Sequence, residues 1–77
     1  MPTQVTLHFD DEKIICTQVC LTPLQVRDGD FVFCDFEGLI HVHKVEQRGA
    51  LVELYDCEGQ AHIYNIKTVL DVARPKV

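Results

Sequence analysis

No apolar run in this 77-residue chain approaches the ~18 residues that a membrane-crossing helix needs. No charged-then-apolar leader opens it, so the expectation is a cytoplasmic protein. Basic side chains are few: 7 against 12 acidic ones, for a net charge of −5. Phosphate neutralisation supplies most nucleic-acid affinity, so neither nucleic acid nor an anionic membrane is an expected partner. A basic peptide or protein is the better electrostatic match. The four cysteines, Cys16, Cys20, Cys34 and Cys57, form no CxxC pair. On one strand, Cys16 and Cys20 stand about 13 Å apart. A disulfide spans at most ~7 Å between Cα atoms, so reduced, buried thiols are expected. Repeats, low-complexity tracts and linkers are also missing. That leaves a single domain, 1–77, small enough to bury only roughly 60% of its unfolded surface. Self-association would supply the burial it lacks.

Alternating apolar residues are what the chain does have. Val5, Leu7 and Phe9 alternate with polar residues, and the run 14–21 alternates again after the charged turn 10–13. Period-two alternation is the strand signal, and the two runs predict an N-terminal hairpin over 3–21. Pro23 and the Asp28-Gly29 pair mark 22–30 as a connector, in which Thr22 is placed to cap a helical turn. A short strand over 31–35 follows. Three more strands, 39–46, 50–56 and 60–66, form a meander whose connectors each end in glycine. After one turn, a last short strand is expected before Pro75. Many short strands with tight turns argue for an all-β fold, a small barrel or sandwich with its core over 29–73.

Glycine adopts the positive φ of a hairpin loop without steric cost. A three-residue loop at 47–49 and a two-residue loop at 58–59 put Val42, Leu54 and Ile63 in one apolar row. The opposite face then carries His41, Tyr55 and His62, then His43, Glu53 and Tyr64, then Val45, Leu51 and Ile66. Lys44 and Asp56 fall on the apolar face in this register. Strong bending or a β-bulge, either of which lets the core change faces along a strand, would account for them.

From Gly29 onward the pattern resembles an SH3-like small barrel, and most of all a Tudor domain. Gly29, Asp30, Phe31 and Val32 are similar to the Gly-Asp opening of that family. Residues 52–60, VELYDCEGQ, resemble its "V-x-[FY]-x-D-Y-G-N" hairpin. The resemblance implies a cage for methylated lysine or arginine at Phe36, His41, Leu54 and Cys57, with Gln60 at the hairpin asparagine. Only Phe36 is a strong cage residue, and the tyrosine before Gly59 is missing. A shorter stretch, Ala61, His62, Ile63 and Tyr64, looks like the "V-Q-I-Y" strand of type II, plasmid-borne dihydrofolate reductases. Those are tetramers with that strand lining a central pore. Here His62 replaces the glutamine, and Cys34 stands where that family has a lysine.

His41, His43 and His62 with Glu53 are of the right type for zinc. In this register, however, His41 and His62 lie ~9–10 Å apart across the central strand. No metal, cofactor or catalytic residue is therefore expected. Neither Cys34 nor Cys57 has a Lys, an Arg or a helix N-terminus beside it to activate it as a nucleophile. Asp10, Asp11 and Glu12 read as a solvated hairpin tip. The expected functional surface is the outer face of the meander: His41, His43, Val45, Leu51, Glu53, Tyr55, His62 and Tyr64. Mixed aliphatic and tyrosine surface suits an interface. The expected function is a non-enzymatic module that binds itself, as a homo-oligomer, or a protein partner. Histidines on that face predict that acid loosens the assembly. The alternative, from a different class, is an oligomeric pore-type reductase with His62, Ile63 and Tyr64 in the pore. The N-terminal hairpin is the other possible occupant of the face.

Overall fold

Period-two alternation resolves into seven strands in the computed structural model, which describes residues 3–34 and 38–76. They are β1 (Thr3–Phe9), β2 (Glu12–Leu21), β3 (Phe31–Cys34), β4 (Gly38–Arg48), β5 (Leu51–Asp56), β6 (Ala61–Asn65) and β7 (Leu70–Pro75). All pair antiparallel in one sheet of order β1-β2-β7-β3-β4-β5-β6, so β1 and β6 are its edges. The expected all-β class is thus the class observed. One 3₁₀ turn, Pro23–Gln25, breaks the strand pattern, and Gln25 Oε1 accepts from the Thr22 N–H at 3.0 Å and from its hydroxyl at 3.2 Å. The expected cage residue Phe36 lies outside the described residues.

The sheet is buried on both faces at its centre. On one face Val32, Ile40, Val42, Val52, Leu54 and Val72 form the main core, with Val19, Leu21, Val45, Tyr64 and Ile66 packed against it. On the other face Phe31, Cys16 and Ala73 are covered by Val5, Leu7, Phe9 and Ile14. Alternation explains the division: Phe31 and Val32 are neighbours in sequence and point into different cores. The N-terminal hairpin therefore packs over the β3 and β4 part of the sheet, not over β5 and β6. Its tip, Asp10 and Asp11, has φ of 51° and 62°. Such a two-residue loop suits the right-handed twist of the strands, and Asp tolerates the left-handed region better than most residues.

A buried ion pair ties the connector to the last strand. Asp30 is 2% exposed. Arg74 donates to it through Nε to Oδ1 at 3.1 Å and Nη2 to Oδ2 at 2.8 Å. The Arg27 backbone N–H also donates to Oδ2, at 2.8 Å, and Arg74 Nη2 reaches the Gln25 carbonyl at 3.0 Å. On the backbone, Asp30 O accepts from Val42 N–H at 2.9 Å. One residue thus joins the connector, β3, β4 and β7.

The meander's register differs from the expected one in two places. Arg48 pairs with Leu51, so the β4–β5 loop is two residues, Gly49 and Ala50, with glycine first rather than last. Tyr55 pairs with Ala61, one residue off the expected register. The cause is a loop of three residues, Cys57 to Gly59, where two were expected. Asp56 Oδ1 accepts from the N–H groups of Glu58 and Gln60, both at 2.9 Å, which builds the wider turn. A slip of one residue moves every side chain to the other face. Ile63, expected in the core row, is 59% exposed, and His62 takes its place, 8% exposed. Of bending and a bulge, the strand uses the bulge: the β4–β5 register shifts between Val42 and Lys44, at His43. Val42 and Val45 consequently both face the main core while Lys44 is turned out.

Gly49 and Gly59 have φ of 60° and 82° with open space where a Cβ would sit. Gly→Ala at either should cost only the backbone strain, about 1 kcal/mol, read as a lower urea midpoint. Asp30→Ala should cost about 2 kcal/mol. Arg74→Ala should cost about 3 kcal/mol, because it strands a buried carboxylate rather than a half-exposed guanidinium. Equal and negligible losses in the two variants would show that the pair does not hold the connector.

Candidate functional site

The expected outer face divides three ways. Glu53, Tyr55 and Leu51 remain on the solvent side of β5, and Leu51 is 47% exposed. Val45, His62 and Tyr64 turn inward with the main core. Val45 moves because of the bulge, and His62 and Tyr64 because of the longer loop. His41 lies on the face covered by β1, its ring stacked on Phe31 with centroids 4.3 Å apart and edge-on to Phe9 at 5.3 Å. His43, the bulged residue, is exposed, with its ring 4.9 Å from His41. Of the three expected rows, none survives intact. The expected weakening by acid required His41 and His62 on one open face, and they do not share one.

The face that replaces it has rows Lys44–Tyr55–Ala61, Glu46–Glu53–Ile63 and Arg48–Leu51–Asn65. Its charges are knitted together. Lys44 Nζ lies 2.8 Å from Glu46 Oε1 and 5.5 Å from the centre of the Tyr55 ring. Arg48 pairs with Glu53, which also accepts from the Tyr55 hydroxyl at 3.2 Å. Exposed ion pairs of this kind add little stability singly. They do leave Leu51 and Ile63 as the apolar points of a surface whose charges are already matched.

A cleft of about 380 Å³ opens where the hairpin tip meets the β5–β6 loop, lined among others by Phe9, His41, Asp56, Cys57, Glu58 and His62. In it His62 Nε2 lies 2.8 Å from Asp56 Oδ2. The bond to His62, opposed by desolvation and helped by the loop N–H groups, holds the Asp56 carboxyl below its ordinary value. The carboxylate is ionised at neutral pH, so the ring nitrogen is the donor. Cys57 is exposed at the rim and Cys34 half-buried against the main core. Burial, and then the Asp30 carboxylate, push the Cys16 thiol up. Among the described residues no three His, Cys, Asp or Glu side chains are grouped as metal ligands would be. No helix of the described residues is long and apolar enough to cross a membrane.

Two polar groupings were not visible in the sequence reading: Asp56 with His62, and Asp30 with Arg74. The parity of Asp56 on the core face was the available signal for the first. Compared with known proteins, the chain matches no protein family, no curated protein and no solved structure.

His41 carries a pH dependence. Desolvation between the two phenylalanines, then the His43 charge, lower its pKa from 6.5, against the opposing pull of Asp28 and Asp10. A group whose folded pKa is depressed contributes stability above its unfolded pKa, and that contribution is lost as pH falls through the folded value. Stability should therefore decline as pH drops below about 6.5. Asp56, also depressed, adds its own loss in more acid solution. His41→Phe should make the slope between neutral and mildly acid pH shallower in thermal melts. An unchanged slope would contradict a desolvated His41.

Proposed function

We propose that this chain is a non-enzymatic interaction module that binds a second copy or a protein partner through the outer face of β4, β5 and β6. The observation that carries the reading is Ile63. It is a large aliphatic side chain, 59% exposed, in the middle of an edge strand, with Leu51 nearby at 47%. Apolar anchors surrounded by paired charges match the centre and rim of protein interfaces. A single exposed apolar residue needs no explanation, but two beside Tyr55 on a small domain with a thin core do.

The frame is read as an SH3-like small barrel with an added N-terminal hairpin, supported by the strongly divided core and by the Gly29-Asp30 entry into β3. The methyl-ligand cage of Tudor domains finds less support: Leu54, at one cage position, is 0% exposed, and Phe9 covers His41. The reductase alternative asks His62, Ile63 and Tyr64 to share one pore wall. In β6 they alternate, with Ile63 out and the other two turned inward.

Leu51→Glu tests the face. Leu51 lies opposite Arg48 at the end of β5, so the substitution should leave the fold and melting temperature near those of the parent. It should lower the mass of the assembly in a sedimentation concentration series. A Leu51→Glu chain that unfolds, or Leu51→Glu and Ile63→Glu chains that both assemble as the parent does, would remove this face as the docking surface.

A further inference from the structure

Among the described residues β6 pairs with one strand, β5. Two contacts at the ends of that pairing set its hydrogen-bond phase: Asp56 N–H donates to Gln60 O at 3.0 Å and Ile66 N–H to Ala50 O at 2.8 Å. Bonded pairs alternate along an antiparallel ladder. The even-numbered residues of β6 therefore turn their backbone groups to β5, and Ala61, Ile63 and Asn65 turn theirs to the open edge. Thr68 N–H takes the Asn65 carbonyl at 3.0 Å. What remains at the edge is the N–H and C=O of Ala61 and of Ile63, and the N–H of Asn65.

Such edges are ordinarily blunted by lysine, proline, a bulge or a covering element. β6, AHIYN, carries no lysine, arginine, proline or carboxylate, and Ala61, Ile63 and Asn65 are all exposed. In a chain of net charge −5, it is a strip on which two copies can meet without opposing carboxylates. Just outside it, the exposed Glu58 precedes one end and the exposed Lys67 follows the other.

We infer that this edge pairs with the same edge of a second copy, antiparallel about a twofold axis through Ile63. The inference rests on the outer-face reading and names its partner. In this arrangement Ile63 faces Ile63 of the second copy and Ala61 faces Asn65. Each Ile63 N–H donates to the opposite Ile63 carbonyl, and each Asn65 N–H to the opposite Ala61 carbonyl. The two Ile63 side chains meet on the outer face. The Leu51–Asn65 row of one copy continues into the Ala61–Tyr55 row of the other. Lys67 of each copy comes beside Glu58 of the other, which gives the interface charge complementarity twice over. The twofold makes the contact closed, so assembly through it stops at the dimer.

Ile63→Pro is the direct test. In the monomer the Ile63 N–H faces solvent, so proline removes no ladder bond within the chain, and edge strands are where proline is tolerated. Sedimentation should show the dimer dissociation constant rising at least about tenfold. Circular dichroism should stay like that of the parent. Ile63→Lys, which sets two ammonium groups on the axis, should act in the same direction and covers the case in which the proline variant misfolds. Amide exchange of the unaltered protein gives a readout without mutation. The Ile63 and Asn65 N–H groups should slow with concentration, while those of His62 and Tyr64, already bonded to β5, should not respond. Added salt should weaken the dimer through the Lys67 and Glu58 pairs. If Ile63→Pro and Ile63→Lys both stay dimeric while Leu51→Glu does not, the edge pairing is wrong and the face reading stands. A parent that is monomeric up to its solubility limit overturns the second copy as the occupant and leaves only a different protein for the face.

Discussion

Four segments meet at one aspartate. Asp30 accepts both arms of Arg74 and the Arg27 N–H from within the interior, while its own carbonyl receives Val42. Desolvating a carboxylate is expensive, and only a full set of donors offsets it. The connector 22–30 cannot shift without leaving that charge unsatisfied. The connector in turn fixes where β3 starts, which of Phe31 and Val32 faces which core, and how β7 lies beside both β2 and β3. An apolar residue at position 30 would fill space, but it would not specify this crossing of chain segments. The pair acts on register more than on gross stability.

With β3 so placed, the two faces of the sheet have different fates. Around Phe31 and His41 the hairpin of β1 and β2 closes the surface, and the rings of Phe9, Phe31 and His41 pack together. Farther along β4 the hairpin no longer reaches, and the β5 and β6 part of the sheet keeps a solvent face. The same long strand therefore serves as core at one end and as surface at the other. The cleft lies at this boundary, with the Asp56–His62 pair in its wall. That pair satisfies a buried imidazole and at the same time builds the three-residue loop that turns Ile63 outward.

The strand content, the N-terminal hairpin and the positive φ of the turn glycines were legible in the sequence, because alternation and glycine are local signals. So was the need for a bend or a bulge in the meander, since Lys44 fell on the face of Val42 and Asp56 on that of Leu54. Loop length was not legible. Whether Cys57 belongs to the loop or to the strand depends on the hydrogen bonds of the Asp56 side chain, which sequence spacing does not reveal. One misplaced residue there exchanged Ile63 for His62, and with them the character of the outer face. The ion pair of Asp30 and Arg74 was invisible for a related reason. The two residues are 44 apart in sequence and become neighbours only once β7 is laid beside β3.

The bulge at His43 also bears on how the gene for such a chain can change length. Val42 faces in, His43 and Lys44 face out, and Val45 faces in again. Loss of His43 would leave a plain alternation of the same in-and-out pattern, with both surfaces of β4 preserved. Loss of Lys44 does the same, with His43 as the outward residue, whereas loss of any single residue from 45 to 47 would invert the rest of the strand and bring charged residues into the core. Tolerance of deletion in β4 is thus confined to two adjacent codons, those for His43 and Lys44, either of which supplies the one outward residue that plain alternation needs.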